Sequence, residues 1–325
     1  MMLVAAAALA ALVVAGCGGS SNPSTGGTTA GAGGLTAQQI AEKSAAAMQS
    51  VKSASFTADL SASVKGDASK VTDTTLKPLL SAPITLKAQG KVSNEPQKLD
   101  MTLNAAAAGQ SFAVALKMDN GQIWIQFMNQ WYVIPQSMLS GLTGASPAPS
   151  ASSAPLTEQL GGAFKSLGID PTTWTESYQL VGTDTLDGTA VYHVAQVLNV
   201  SKMVDDLVKA SGSVSSLTGG LGGASASPSS ITPADAQAIK DALKGLKLDY
   251  YYQKDNYYLR KLNLAVTADL SKDAQAAAQG LQSADVNFTV TVADFDQPFT
   301  VAAPTGAKPF QDLMNALLGS GGLQL

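Results

Sequence analysis

From Phe56 onward the chain repeatedly alternates apolar and polar residues one for one, and this period limits what it can fold into more than any single motif does. Phe56, Ala58, Leu60, Ala62 and Val64 interleave with Thr57, Asp59, Ser61, Ser63 and Lys65, a spacing that sends each class of side chain to its own face of an extended strand. The pattern returns at Ile84, Leu86 and Ala88, at Leu99, Met101 and Leu103, and at Phe112, Val114, Leu116 and Met118. Asp119, Asn120 and Gly121 then supply a tight hairpin before Ile123, Trp124 and Ile125, and the run from Trp131 to Ile134 closes a meander. Further strands are predicted at 178–183, 190–198, 246–253, 257–269 and 286–295. Antiparallel strands joined in this way make one broad sheet with an apolar face and a face of small polar residues.

Helical spacing is confined to a few places. Thr36 followed by Gln39 is a capping-box pair, and Ile40, Ala41, Ala45 and Met48 predict a helix over about 37–51. Others are expected at 156–167, around Met203, Val204, Leu207 and Val208, and after Thr232 and Pro233, where Ala236, Ile239, Leu243 and Leu246 would form one apolar face. Ser146–Pro155 and Ser211–Ser230 are built from Ser, Ala, Gly and Pro and read as surface insertions. The expected fold is therefore α+β: a single large, curved antiparallel sheet with helices over its concave apolar face. One domain over 35–325 would contain both insertions.

What precedes that domain has a different character. Residues 1–16 are small and apolar and end at Val14, Ala15, Gly16 and Cys17, a lipobox. Small neighbours let processing enzymes reach the cysteine, whose thiol takes a diacylglyceryl group as a thioether. The apolar run falls short of the roughly 20 residues needed to cross a bilayer, so it reads as a lipoprotein signal peptide. Such a peptide opens with Lys or Arg, and none precedes Glu42, which places the expected start upstream of Met1. Cys17 is the only cysteine, so no internal disulfide competes for it. Residues 17–34 are an uncharged tether. The expected location is extracytoplasmic, at the outer face of the plasma membrane, held there by lipid on Cys17.

Charged residues make up 14% of the chain and the net charge is −4, which argues against nucleic acid as a partner. No Gly-x-Ser-x-Gly elbow, phosphate-binding glycine loop or metal-ligand spacing occurs. The only histidine, His193, has Val191, Ala195 and Val197 on its own strand face and no carboxylate nearby in sequence, so a structural role is expected. Asp205 and Asp206 are expected on a solvated helix face. Tyr250, Tyr251 and Tyr252 point alternately to opposite faces and predict packing, not a stacking platform. No catalytic residue, cofactor or metal is expected, and the chain does not read as an enzyme.

The second half resembles the LppX/LprG family of actinobacterial envelope lipoproteins, which includes LprA and LprF. The likeness rests on the hairpin run from Val181 to Val194, on Tyr257 to Leu262, and most specifically on the closing stretch from Val292 through Asp294, Phe295, Asp296, Gln297 and Pro298 to Pro304. The resemblance implies a LolA/LolB-like half-barrel whose hollow interior accommodates acyl chains of envelope lipids. The candidate lining is Leu60, Leu86, Met101, Leu103, Val114, Leu116, Leu262, Leu264, Phe288 and Val290. Alternation reports burial and not emptiness, so the residues alone favour packed core, and it is the resemblance that assigns some of these ten to a cavity. The expected function is a non-catalytic lipid-binding lipoprotein that holds or transfers acylated lipids. The alternative is a half-barrel interaction or sensor module of the RseB type, with an envelope protein as partner.

Overall fold

The computed structural model describes residues 34–71, 77–107, 109–135, 170–206, 208, 233–270 and 280–319. The lipobox, most of the tether, both Ser/Ala/Pro insertions and the helix expected at 156–167 lie outside the described residues.

The α+β class and the single large sheet are what the structure contains. Twelve strands are hydrogen-bonded in the order β12-β6-β5-β4-β3-β2-β1-β11-β10-β9-β8-β7. They are β1 (Ser53–Gly66), β2 (Ile84–Asn94), β3 (Gln97–Ala107), β4 (Gln110–Asp119), β5 (Gln122–Phe127), β6 (Gln130–Ile134), β7 (Thr175–Leu186), β8 (Thr189–Leu198), β9 (Leu243–Gln253), β10 (Leu259–Asp269), β11 (Leu281–Ala293) and β12 (Lys308–Pro309). Helices α1 (Ala37–Gln49), α2 (Lys77–Ser81), α3 (Pro233–Ala242) and α4 (Phe310–Gly319) accompany them. Turn chemistry fixes the hairpins: Asn120 and Gly121 have φ of 47° and 80°, and Asp187 and Gly188 have 48° and 77°, the doubly left-handed pair that a two-residue turn requires.

The described residues form two compact units. The first takes the described parts of 1–50, 60–84 and 154–290, and the second those of 51–59, 85–153 and 291–325.

In the first unit, α1 opens with the expected capping box. The Gln39 amide donates to Thr36 Oγ1 at 3.2 Å, and the Thr36 amide donates to Gln39 Oε1 at 2.9 Å. Its Ile40 is fully buried in a cluster with Ala62, Val194, Leu248, Tyr250, Tyr252, Leu262, Leu264, Val266 and Val286. The register explains the cluster, because Leu262 stands opposite Tyr250, Leu264 opposite Leu248 and Val194 opposite Tyr250, all on one face. A second core joins Trp174, Met203, Val204 and Ala236.

Two expectations from the sequence need correcting here. Leu243 and Leu246 do not continue α3: the chain passes directly from Ala242 into β9, where Leu246 pairs with Val266 and Leu243 with Ala268. Both leucines still pack on the cores, so a ladder of backbone hydrogen bonds is gained without giving up apolar burial. Asp206 is not solvated. It is 6% exposed, accepts the Trp174 indole N–H at 2.8 Å and meets the Lys202 ammonium at 3.2 Å. Asp205 does face outward, paired with Lys240 at 2.7 Å. Helix α4, whose Phe310, Leu313, Met314 and Leu317 carry a helical period, adds an element beyond those expected from the sequence.

Candidate functional site

In the second unit, β2 to β6 form a meander whose cross-strand partners fall into clean rows. Leu86, Ala105 and Phe112 make the first; Ala88, Leu103, Val114 and Phe127 the next; Gly90, Met101, Leu116, Ile125 and Tyr132 the third; and Val92, Leu99, Met118, Ile123 and Ile134 the last. Residues directly opposite one another share a face, so these four rows make an apolar face, with Gln130 opposite Phe127 as a polar residue at its β6 edge. Gly90 is required where it stands, since a β-carbon there would meet Met101 Cα at 2.8 Å. Nearly all of these side chains are half-buried. They differ in this from the first unit's face, where α1 drives residues to full burial.

The opposite face carries Lys98, Asp100, Lys117, Trp124 and Trp131, and the C-terminal tail crosses it. Leaving β11, the tail must reach β12 at the outer edge beside β6, where Lys308 pairs with Tyr132 and Pro309 with Val133 in parallel. Along the way the Lys98 ammonium donates to the Phe299 carbonyl at 3.5 Å; at the β6 edge Gln130, which stands opposite Phe127 on the apolar side, donates its Nε2 to the Gly306 carbonyl at 3.0 Å. Val301 and Trp124 are each 9% exposed. The start of the tail is pinned to β1. Asp296 accepts the Lys52 amide at 2.7 Å and donates its own amide to the Ser53 carbonyl at 2.8 Å, while Ser55 Oγ donates to Asp294 Oδ2 at 2.8 Å. Asp294 and Asp296 both have positive φ, 48° and 58°, a conformation that aspartate tolerates better than most residues. The closing stretch that carried the resemblance is thus the clamp that lays the tail on the polar face.

The ten candidate lining residues divide between the units. Leu86, Met101, Leu103, Val114 and Leu116 come together on the half-buried apolar face of β2–β4. Leu60, Leu262, Leu264, Phe288 and Val290 come together in the first unit's core. There Leu262 and Leu264, at 2% and 1% exposure, are packed side chains and line no space that an acyl chain could enter. The helix on their face is the physical reason. Cys17 lies outside the described residues.

One polar constellation went unseen in the sequence. His193 does have a carboxylate: its Nε2 lies 2.8 Å from Asp249 Oδ1, a diagonal contact, since Asp249 pairs with Ala195 and His193 with Tyr251. The ring stacks on Tyr251 at 4.5 Å, and the Lys261 ammonium sits 5.4 Å from the Tyr251 ring centroid. Desolvation, then the neighbouring carboxylates of Asp249 and Asp184, raises the Tyr251 phenol above its ordinary range. Tyr250 and Tyr252 turn to the other face, buried and stacked at 5.7 Å. Because His193 is 56 residues from Asp249, only strand register brings them together, and no local pattern could have announced it.

Among the described residues, no group of three or more His, Cys, Asp or Glu is placed to share a metal ion, and no helix is long and apolar enough to cross a membrane. An open groove of about 580 Å³ runs beside Asn120, Gln122, Val133, Ile134 and Pro309 at the β4–β5 turn.

Residues 36–173 match the model of a family of unknown function, DUF6612. No curated protein matches the chain. Among solved structures, the Mycobacterium tuberculosis lipoprotein LppX is similar at 14% identity over 81% of this chain and 96% of its own, with a TM-score of 0.34. LprF from Mycobacterium bovis is similar at 14% identity over 83% and 97%, with a TM-score of 0.35. MucB in complex with MucA(peri) is similar at 11% identity over 84% and 61%, with a TM-score of 0.28.

Proposed function

We propose that this chain is a membrane-tethered, non-catalytic binding protein that holds the acyl chains of envelope lipids on the apolar face of β2–β6. The observation that carries the reading is the contrast between the two faces of that meander. The tail, fastened by Asp294 and Asp296, covers the polar face, whereas the four apolar rows stay half-buried. Burying alkyl chain against such a face is worth roughly 0.8 kcal/mol per methylene, and it needs no polar recognition. Selection among lipids would then be by length and bulk of the chains. The lipobox ending at Cys17 supports the choice of ligand, because a tethered domain works within tens of ångströms of a bilayer.

Native mass spectrometry of the protein purified from its membrane tests this. Lipid masses should accompany the wild-type chain and be depleted in Leu103→Asp and Leu116→Asp, which set a carboxylate in the middle of the face. A chain that carries no lipid in either form refutes the proposal and leaves a protein partner as the occupant of the face.

A further inference from the structure

The second unit's sheet is polarised end to end. The charges of β3 and β4 gather toward one end, where Asp100 and Lys117 pair at 3.4 Å and Lys98 stands opposite Asp119. Residues 101–116 carry no charge, and neither do residues 120–157. Phe112 and the β5–β6 turn both fall within these runs, at the opposite end. Phe112, 51% exposed, lies two residues beyond the last β4–β5 pair, Val114 with Phe127. Beside it Met128, 74% exposed, occupies a two-residue turn with Asn129, at φ of 48° and 63°. That turn ordinarily takes Asn or Gly. A methionine there accepts a left-handed backbone and exposes its side chain, two costs that folding alone does not repay.

Single exposed apolar residues are ordinary, but two side by side on an uncharged end are not. Of the nearby cations, Lys87 on β2 stands opposite Asn104, one residue from the Phe112 row, whereas Lys308 on β12 stands level with Tyr132 and Leu116, toward the charged end. Lys87 pairs with Asp59 at 3.8 Å, and Lys308 is exposed. Apolar tips with a long lysine side chain beside them suit the boundary of a bilayer, where lysine keeps its ammonium group in the headgroup layer. The five residues from Lys117 to Phe112 span about 17 Å along the strand. Burial of the tips by roughly 5–10 Å therefore leaves the Asp100–Lys117 pair in water.

We infer that the Phe112 end of β4 and the β5–β6 turn form a membrane-contact edge, inserting Phe112 and Met128 into the surface of a bilayer. The apolar rows begin at this edge, with Leu86, Ala105 and Phe112, so an acyl chain leaving the bilayer would meet the face without crossing water. The inference rests on the lipid-binding reading for its purpose, but not for its test.

Cys17 is the only native cysteine and is consumed by acylation, so Phe112→Cys, Met128→Cys and, as a control, Gln122→Cys each give one reactive thiol. Each full-length acylated variant, labelled with an environment-sensitive fluorophore, is reconstituted in phosphatidylcholine vesicles containing phosphatidylglycerol and quenched with iodide. Labels at 112 and 128 should emit to the blue and show a several-fold lower quenching constant than the label at 122. Equal quenching at all three positions overturns the edge. Protection that disappears as protein is diluted into more lipid assigns the edge to contact between copies and also overturns it. Native mass spectra of the same samples separate the two proposals: inserted labels without bound lipid sustain the edge and sink the carrier, and wet labels with bound lipid do the reverse.

Discussion

Truncating one leucine in each unit should give different results, and the difference follows from which sheet face a helix covers. Leu264 is 1% exposed, opposite Leu248 and beneath α1. Leu264→Ala removes buried carbon from a site that cannot collapse without moving α1 or its strand neighbours, so it should cost about 2–5 kcal/mol, transfer and cavity together. Leu103 is half-buried on the β2–β4 face, between Ala88 and Val114. Its truncation loses part of a leucine transfer energy and leaves no closed cavity, so about 1 kcal/mol is expected. Urea unfolding reads both. Trp174 reports the first unit and Trp124 and Trp131 the second, and these three are the chain's only tryptophans, so Trp174→Phe isolates the second unit's signal. At unchanged slope, the midpoint should fall much further for Leu264→Ala than for Leu103→Ala. Equal costs, or a larger cost at Leu103, would refute the distinction between a packed face and an open one.

Four further outcomes follow from particular contacts. Asp206→Ala strands the buried Trp174 indole N–H and should cost about 1–3 kcal/mol, with a shift in Trp174 emission that Asp205→Ala does not produce. Gly90→Ala should destabilise the second unit in thermal unfolding, because its β-carbon would meet Met101 Cα at 2.8 Å, whereas Gly182→Ala, with nothing within 4 Å, should be close to neutral. Thr36→Ala removes the α1 cap and should cost about 1 kcal/mol, read by denaturant midpoint. The raised Tyr251 phenol gives an alkaline effect of defined sign. The folded state holds this proton more tightly than the unfolded chain does, so stability is intact below the unfolded phenol's pKa near 10 and falls as pH rises beyond it. Tyr251→Phe should flatten that slope.

The strands were legible because their alternation is clean and their turns carry Asn-Gly and Asp-Gly pairs. The first helix was legible through its capping box. What escaped had physical reasons. The sequence Leu243 to Leu246 fits a helix face and a strand equally well, and only pairing with β10 decides between them. His193 with Asp249, and Trp174 with Asp206, meet through tertiary register. The candidate site was half legible: alternation identified all ten apolar residues, but it names the side a residue faces and not what lies over it. Leu264 and Leu103 therefore looked alike in sequence. They differ because α1 covers one and the tail, pinned by Asp296, runs over the face opposite the other.

The central claim is that acyl chains lie on the β2–β6 face, and photo-crosslinking tests it most directly. Protein in vesicles containing a phospholipid with a diazirine on its acyl chain is irradiated, digested and mapped by mass spectrometry. The account predicts adducts on Met101, Leu116 and Ile125, and none on the tail-covered Trp124 or the packed Leu264. Adducts confined to the polar face, or found only at the acylated terminus, would contradict it.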